Sequence, residues 1–494
     1  MSSQMVVLIT LVFYKLVLLG IGFWASKRVA SESDFFIAGK GSSKGQGSGL
    51  GSGLGSGLGP WVAGLSYAAS TSSAWVLLGY TGFVFSVGFK ALWLIPGIFG
   101  GYALTWLVMG PRLNAETAER GHITLVDFLI GDVSQKWRAP ISALAAVLII
   151  FCFVFYVAAQ FQAAGNAFSS TFGLGLAQSV ILGAVVIVAY CLMGGFWAAS
   201  ITDTLQALVM VGACILVPIV TIAAAGGMGA VMETLHANET PAYFKMTGGA
   251  VGLAAIGGAL GLLGTGLGAA GQPQLLNRIM AVKDRNARLL GAAITIGWGT
   301  LIYIGVTLLA LSARALLPQT PSEQIFFAAA EAYLPPILAG IVLAAILSAV
   351  MSTVDSLLLA TASAVSHDLG AARLMPAKIG AGRALLAGRL AMIGIAVLSV
   401  VLTLTMPDNI FDRVLFSWVA LGAAFGPTVL ARCMGWQISG PYVFLAIFSG
   451  FAIAVIASGM PGMMADIAEK WLSWIVGFIF LFVGKMQYSG GVNN

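Results

Sequence analysis

Thirteen stretches of this chain are each apolar over about the 20 residues that a helix needs to cross a hydrocarbon core of about 30 Å. They run approximately over 5–25, 61–87, 90–109, 139–168, 176–193, 202–225, 249–271, 290–312, 335–364, 381–404, 411–431, 441–459 and 470–486. Lipid offers a backbone N–H or C=O no partner, so a spanning segment must be a helix or a strand of a closed barrel. Barrel strands alternate apolar and polar residues, and these stretches do not. With 59% hydrophobic and 9% charged residues over 494 positions, soluble globular classes are excluded. The expected fold class is an all-α polytopic membrane protein with about 13 transmembrane helices.

Basic residues set the expected orientation, because loops rich in lysine and arginine stay on the inner side. With the amino terminus outside, the inner loops hold Lys27, Arg28, Lys40 and Lys44; Arg112, Arg120, Lys136 and Arg138; Arg278, Lys283, Arg285 and Arg288; Arg373, Lys378, Arg383 and Arg389; Arg432; and Lys485. Those are 18 of the 24 basic residues. Lys90, Lys245, Arg314, Arg413 and Lys470 fall outside, and Lys15 lies within the first span. The net charge of +6 therefore reports topology, not nucleic-acid binding. The expected location is a cell (inner) membrane, with the carboxyl terminus in the cytoplasm.

Met1 to Ala25 has no basic stretch ahead of its apolar run, so a retained first helix is expected in place of a cleaved signal. Cys152, Cys191, Cys214 and Cys433 form no CxxC pair, and neither disulfide nor zinc is expected of them. Residues 41–59 repeat the unit GSGL three times and read as a flexible Gly/Ser-rich insert, native or engineered. They form no phosphate cradle, since no GK[ST] ending follows.

Two spans are rich in helix-loosening residues. The second has a small and hydroxylated centre, Ala68 to Ala74, and the seventh carries nine glycines between Gly249 and Gly271. Interruptions at matching places in two halves of a membrane chain mark discontinuous helices, whose free carbonyls and half-helix ends hold ions and solute near the midplane. Close packing of small residues is the competing reading.

In the ninth span Ala349, Ser352, Thr353 and Ser356 share one helical face, at i, i+3, i+4 and i+7. Hydroxyls there, with an Ala349 carbonyl freed by local unwinding, make a hard oxygen site suited to an alkali cation. Asp355 is a carboxylate inside the same span, and a charge at that depth marks function by default. Asp203 has two readings: an ion ligand, or with Thr202 and Gln206 a cap on the start of the sixth helix. Glu116, Glu119, Glu233, Glu239 and Glu323 read as solvated. His122, His236 and His367 read as loop residues, so no buried histidine relay is expected.

The segments SDFFIAG, GPWVAGLSYAASTSSAW, ITLVDFL, GGFWAASITDTLQA, GQPQLLNRIMA and ILSAVMSTVDSLLLATASAVSHDL stand in an order that resembles the sodium:solute symporter family, most of all its sodium/proline symporters. The resemblance covers nearly the whole chain. It implies a leucine-transporter fold with 5+5 inverted repeats: a first helix and inward loop (1–40), the insert (41–59), a first repeat of helices 2–6 (60–225), a second of helices 7–11 (226–431), and peripheral helices 12–13 (432–494).

Position by position, the resemblance implies a main sodium site from carbonyls of Ala69, Ser72 and Ala349 and hydroxyls of Ser352 and Thr353. A second cation site would use Asp203, Ser352, Asp355 and Ser356, with Asp355 either strengthening it or holding a proton. Solute contacts are expected at Ser70, Thr71, Ser73, Trp75, Tyr156, Gln160, Thr265, Ala269 and Pro273. Thr71 stands where proline transporters carry an aspartate, and Thr265 and Ala269 stand where they carry aromatic rings, so a roomier cavity is expected.

The expected function is sodium-coupled symport of a small organic solute: proline, another amino acid or a small carboxylate. Sodium is the coupling ion, with no cofactor and no nucleic-acid partner expected. Proton coupling and a nutrient sensor on a transporter fold remain as alternatives, the sensor disfavoured by the want of a soluble signalling domain. A channel would need a pore ring or filter. An enzyme would need a nucleophile with its base, or metal ligands, and no such cluster is expected inside the spans.

Overall fold

The computed structural model describes residues 3–26, 37, 57–192, 195–376, 382–406 and 409–490. Among them the regular secondary structure is helical, apart from one isolated bridge between Leu58 and Val282. The helices in order are α1 (Ser3–Ser26), α2 (Pro60–Thr71), α3 (Thr81–Val87), α4 (Leu94–Ala103), α5 (Gly110–Arg120), α6 (Leu125–Ile130), α7 (Gln135–Phe172), α8 (Leu176–Cys191), α9 (Phe196–Ala224) and α10 (Met228–Asn238). There follow α11 (Leu253–Gly264), α12 (Pro273–Met280), α13 (Arg285–Leu316), α14 (Ile325–Tyr333), α15 (Pro336–Ser363), α16 (Arg383–Thr405), α17 (Ile410–Cys433), α18 (Gly440–Ser458), α19 (Met463–Ile467) and α20 (Ser473–Gly490).

Eleven runs among the described residues are long and apolar enough to cross a membrane. One of them, Trp75–Arg120, would be about 69 Å long as a straight helix, twice the hydrocarbon thickness. It breaks at Gly88, where φ is +66° and an added Cβ would lie 2.2 Å from the Tyr243 carbonyl oxygen. Dividing the run there, and counting the 16-residue apolar helix α8, recovers the thirteen spans.

The expected breaks in the second and seventh spans are present. α2 stops at Thr71, two non-helical residues follow, and a wide-turn helix resumes over Trp75–Tyr80. α11 tightens into a 3-10 segment, Thr265–Gly271, then Gln272 is extended and α12 starts at Pro273. The Gln272 side chain repairs this second break, donating to the carbonyls of Gly268 (3.1 Å) and Trp418 (2.9 Å).

Around these breaks, α2 packs on α9 and α13, α9 on α15, and the 265–271 segment on α4 and α17. In the most apolar windows of α15 and α17, 78% and 83% of the residues are buried, against 17% for α1, so α1 is peripheral. It lies along α15, where Tyr14 meets Ser348 at 2.5 Å and Lys15 reaches the Met351 sulfur.

Several expectations need correction. The sixth helix starts at Phe196, not near 202, so Asp203 sits about two turns inside it and caps nothing. α15 is continuous through Ala349, so no unwinding frees that carbonyl; it receives the Ser352 hydroxyl as a second bond instead. Arg278, Arg288 and Arg432 are buried and not loop residues in water. Glu116 is buried against Arg432 (2.8 Å), Glu239 pairs with Arg314 (2.6 Å), and Glu323 accepts from the N–H groups of Ile410 and Phe411 at the start of α17. His236 lies on α10 and His367 on a helical turn that continues α15. Of the expected insert, 41–59, residues 41–56 lie outside the described residues. Its last unit does belong to the fold: Leu58 is fully buried and exchanges backbone bonds with Ala281 and Lys283.

Candidate cation and solute site

Ending α2 at Thr71 leaves carbonyls without their usual helical donors, and hydroxyls from α15 meet them. Ser352 Oγ lies 3.3 Å from the Ala69 carbonyl oxygen and 3.2 Å from that of Ala349. Thr353 Oγ1 lies 3.4 Å from the Ser70 carbonyl oxygen. All these residues are buried. Oxygens in octahedral contact with a hard cation at about 2.4 Å sit about 3.4 Å apart, a separation that each of these three hydroxyl–carbonyl contacts matches. The Ser72 carbonyl, expected as a ligand, accepts from neither the Ser352 nor the Thr353 hydroxyl. The carbonyl that Thr353 reaches is that of Ser70.

One turn further along α15 the arrangement differs from expectation. Asp203 Oδ2 accepts from Ser66 Oγ (2.7 Å) and from Arg278 Nη2 (2.8 Å). Arg278 Nη2 also donates to Ser356 Oγ, Nε to Ser66 Oγ and Nη1 to the Gln274 carbonyl, each at 2.6 Å. A guanidinium thus holds part of the oxygen set assigned to a second cation. Ser356 Oγ also meets Ser70 Oγ (3.0 Å) and the Ser352 carbonyl (2.6 Å). Asp355 Oδ1 accepts from Ser356 at 3.2 Å, while Asp355 Oδ2 and Asp203 Oδ1 are buried and accept no hydrogen bond within 3.5 Å among the described residues. Two carboxylates against one guanidinium leave this region one positive charge short when all are ionised.

Beside the first break lies a narrow cavity of about 20 Å³, room for one water. Its wall is formed by Thr71, Trp75, Ile98, Tyr102, Tyr156, Thr265, Tyr303, Val414, Leu415 and Trp418. Four expected solute residues are in that wall: Thr71, Trp75, Tyr156 and Thr265. Ser70 faces α15; Ser73 accepts from Tyr156 Oη (3.4 Å); Gln160 Oε1 accepts the Ala74 N–H (3.1 Å) that opens the second half-helix. Ala269 and Pro273 are buried away from the cavity.

The expectation of extra room is overturned. The space beside Thr265 is taken up by Trp418 from α17, whose Nε1 donates to the Thr265 carbonyl at 2.9 Å. Gly268 admits it, since a Cβ there would lie 2.1 Å from the indole. Tyr102 and Tyr303 complete an aromatic wall, with Tyr102 Oη donating to Thr71 Oγ1 at 3.0 Å.

The sodium:solute symporter family model matches residues 54–439. The chain belongs to the sodium:solute symporter family. It is a multi-pass membrane protein and a sodium-coupled symporter of a small organic solute. The osmoregulated proline transporter OpuE of Bacillus subtilis (strain 168) is 31% identical over 97% of this chain and 95% of its own length. The sodium/proline symporter of Escherichia coli (strain K12) is 30% identical over 99% of this chain and 93% of its own. Among solved structures, a Na+-coupled sialic acid symporter in a substrate-bound outward-open state superposes with a TM-score of 0.78 at 16% identity, covering 97% of this symporter and 98% of that chain. MHP1, a nucleobase-cation-symport-1 family transporter, gives 0.56 at 12% identity, covering 88% and 94%. These likenesses assign the leucine-transporter fold.

Proposed function

We propose that this symporter imports proline, or an amino acid of similar size and apolar body, and that the coupling sodium binds among the carbonyls of Ala69, Ser70 and Ala349 and the hydroxyls of Ser352 and Thr353. The observation that carries this reading is the oxygen cluster at 3.2–3.4 Å spacing between a broken helix and a buried hydroxyl face. Three dipolar carbonyls and two hydroxyls suit a dehydrated monovalent ion, whereas proton coupling needs a titratable group there.

The cavity supports the choice of solute. Its wall is aromatic and carries no charged side chain, which suits the apolar face of a pyrrolidine stacked on a ring. The solute's charged ends would be met by half-helix termini and the neighbouring ion. At about 20 Å³ the wall must part to admit any solute, so binding and a conformational step are joined. Proline transport by the relatives agrees with this solute class.

In this reading sodium and solute each favour the same arrangement of α2 against α15, and their coupling is reciprocal. One cation falling through about 100 mV supplies about 2.3 kcal/mol, and a tenfold gradient adds about 1.4 kcal/mol, together enough for about 500-fold accumulation of a neutral solute. A second cation near Asp203 and Asp355, beside Arg278, would restore charge balance there. The halves 60–225 and 226–431 act as inverted repeats, each with its broken first helix. The amino terminus lies outside and the carboxyl terminus in the cytoplasm. Uptake of labelled proline, other amino acids, carboxylates and sugars into proteoliposomes under an imposed sodium or proton gradient tests the reading; proline driven by protons alone contradicts it.

A further inference from the structure

The segments ITLVDFL and SHDL belong to the family resemblance, yet neither touches the cavity or the oxygen cluster. They meet at the end of α15. Asp127 closes the first turn of α6: its Oδ2 accepts from the N–H groups of Ile123 (2.9 Å) and Thr124 (3.2 Å), and its own N–H donates to Thr124 Oγ1 (3.1 Å). Its other oxygen, Oδ1, lies 3.2 Å from His367 Nε2. Asp368 Oδ1 accepts from Thr124 Oγ1 at 2.8 Å, and its carbonyl from Ser142 Oγ at 3.0 Å. One ligand atom from each of Asp127, His367 and Asp368 lies within 4.8 Å of the others, and all three residues are half-buried.

We propose that this trio is a site for a borderline divalent transition-metal ion, with Zn2+ the natural probe, and that an ion there clamps α6 to the end of α15. One imidazole and two carboxylates form the kind of mixed N/O set that zinc accepts, and one that Mg2+ and Ca2+, which take oxygen alone, do not favour. Zinc bonds of about 2.0–2.2 Å put two tetrahedral ligands about 3.4 Å apart, close to the Nε2–Oδ1 separation already present. Both carboxylates are steered by bonds to their second oxygen or from Thr124, the outer support that ligating groups carry. Partial exposure leaves a fourth position to water.

The consequence for transport rests on the sodium reading above. α15 carries Ser352 and Thr353, and α6 follows α5 at the end of the third span. An ion bridging the two would hold that end of α15 still and slow the exchange between open arrangements.

The purified full-length protein is titrated with Zn2+ in competition with a chromophoric chelator, and proline uptake into proteoliposomes is measured with Zn2+ on the face carrying Asp127. One ion per chain is expected, with affinity falling at least about tenfold in His367→Gln. The chain has three histidines, so His122→Gln and His236→Gln are the controls and should bind as the parent does. Uptake should fall as the site fills, and His367→Gln should escape that inhibition. His367→Gln keeps a hydrogen-bonding side chain opposite Asp127, and its metal-free uptake reports that it is folded. Absence of saturable binding, or binding that survives in His367→Gln, overturns the site. Binding lost in His367→Gln while parental uptake ignores Zn2+ overturns the clamp. Failure of sodium-driven uptake in the metal-free parent counts against the transport reading and leaves the binding result standing.

Discussion

Arg278 Nη2 lies 2.8 Å from Asp203 Oδ2, although 75 residues separate them and both are shielded from solvent. The guanidinium ties α12, which follows the second broken helix, to α9 and, through Ser66 and Ser356, to α2 and α15. A single side chain therefore joins the four elements around the oxygen cluster.

Removing one member of such a buried pair leaves an uncompensated charge, at a cost of about 3–5 kcal/mol. Arg278→Met should lower the unfolding temperature in detergent sharply, and Arg278→Met with Asp203→Leu should recover much of the loss. Asp203→Asn separates structure from ion binding: folded protein in normal amount with a lower Hill coefficient for sodium supports a ligand role, and equal loss of protein and transport supports a structural one.

Gly268 and Trp418 are packed so closely that one methyl group decides the shape of the cavity. Gly268→Ala should drive the indole inward and raise the half-saturation for proline at least tenfold, with the sodium dependence nearly unchanged. Adding Trp418→Phe should restore part of the affinity, and a double-mutant cycle of solute binding measures the coupling. Additive effects would show that the two do not share the cavity wall.

Burial pushes the Asp127 carboxyl up, but the bond from His367 and the backbone N–H groups of Ile123 and Thr124 outweigh it and hold the group below the usual carboxylate range. A depressed folded-state value gives stability that is present above the unfolded pKa, about 3.9, and is lost as pH falls through the folded value. Asp127→Asn should therefore lower the melting temperature by a similar amount at pH 5 and 6, and the gap should close below about pH 4. A gap that widens on acidification would contradict the assignment.

The spans were legible because lipid forces each apolar run to be a helix, and the two breaks because glycine and hydroxyl clusters announce them. The Ser352 and Thr353 face followed from helical spacing alone. Arg278 was not legible: a basic residue near a span end reads as an inner-loop charge, and only the fold shows it meeting Asp203. The start of α9 had its signal in the Gly-Gly before Phe196, which the capping reading of Asp203 passed over. Tyr102, Tyr303 and Trp418 come from three different spans, so no local pattern connects them to one wall.

The oxygen cluster is tested most directly by the sodium concentration dependence of proline uptake in proteoliposomes for the parent, Ser352→Ala, Thr353→Ala and the double variant. Each lost ligand should raise the half-saturating sodium concentration about tenfold, equivalent to about 1.4 kcal/mol, with the double variant weaker still and all four proteins folded. Unchanged sodium dependence in the folded double variant would contradict the assignment.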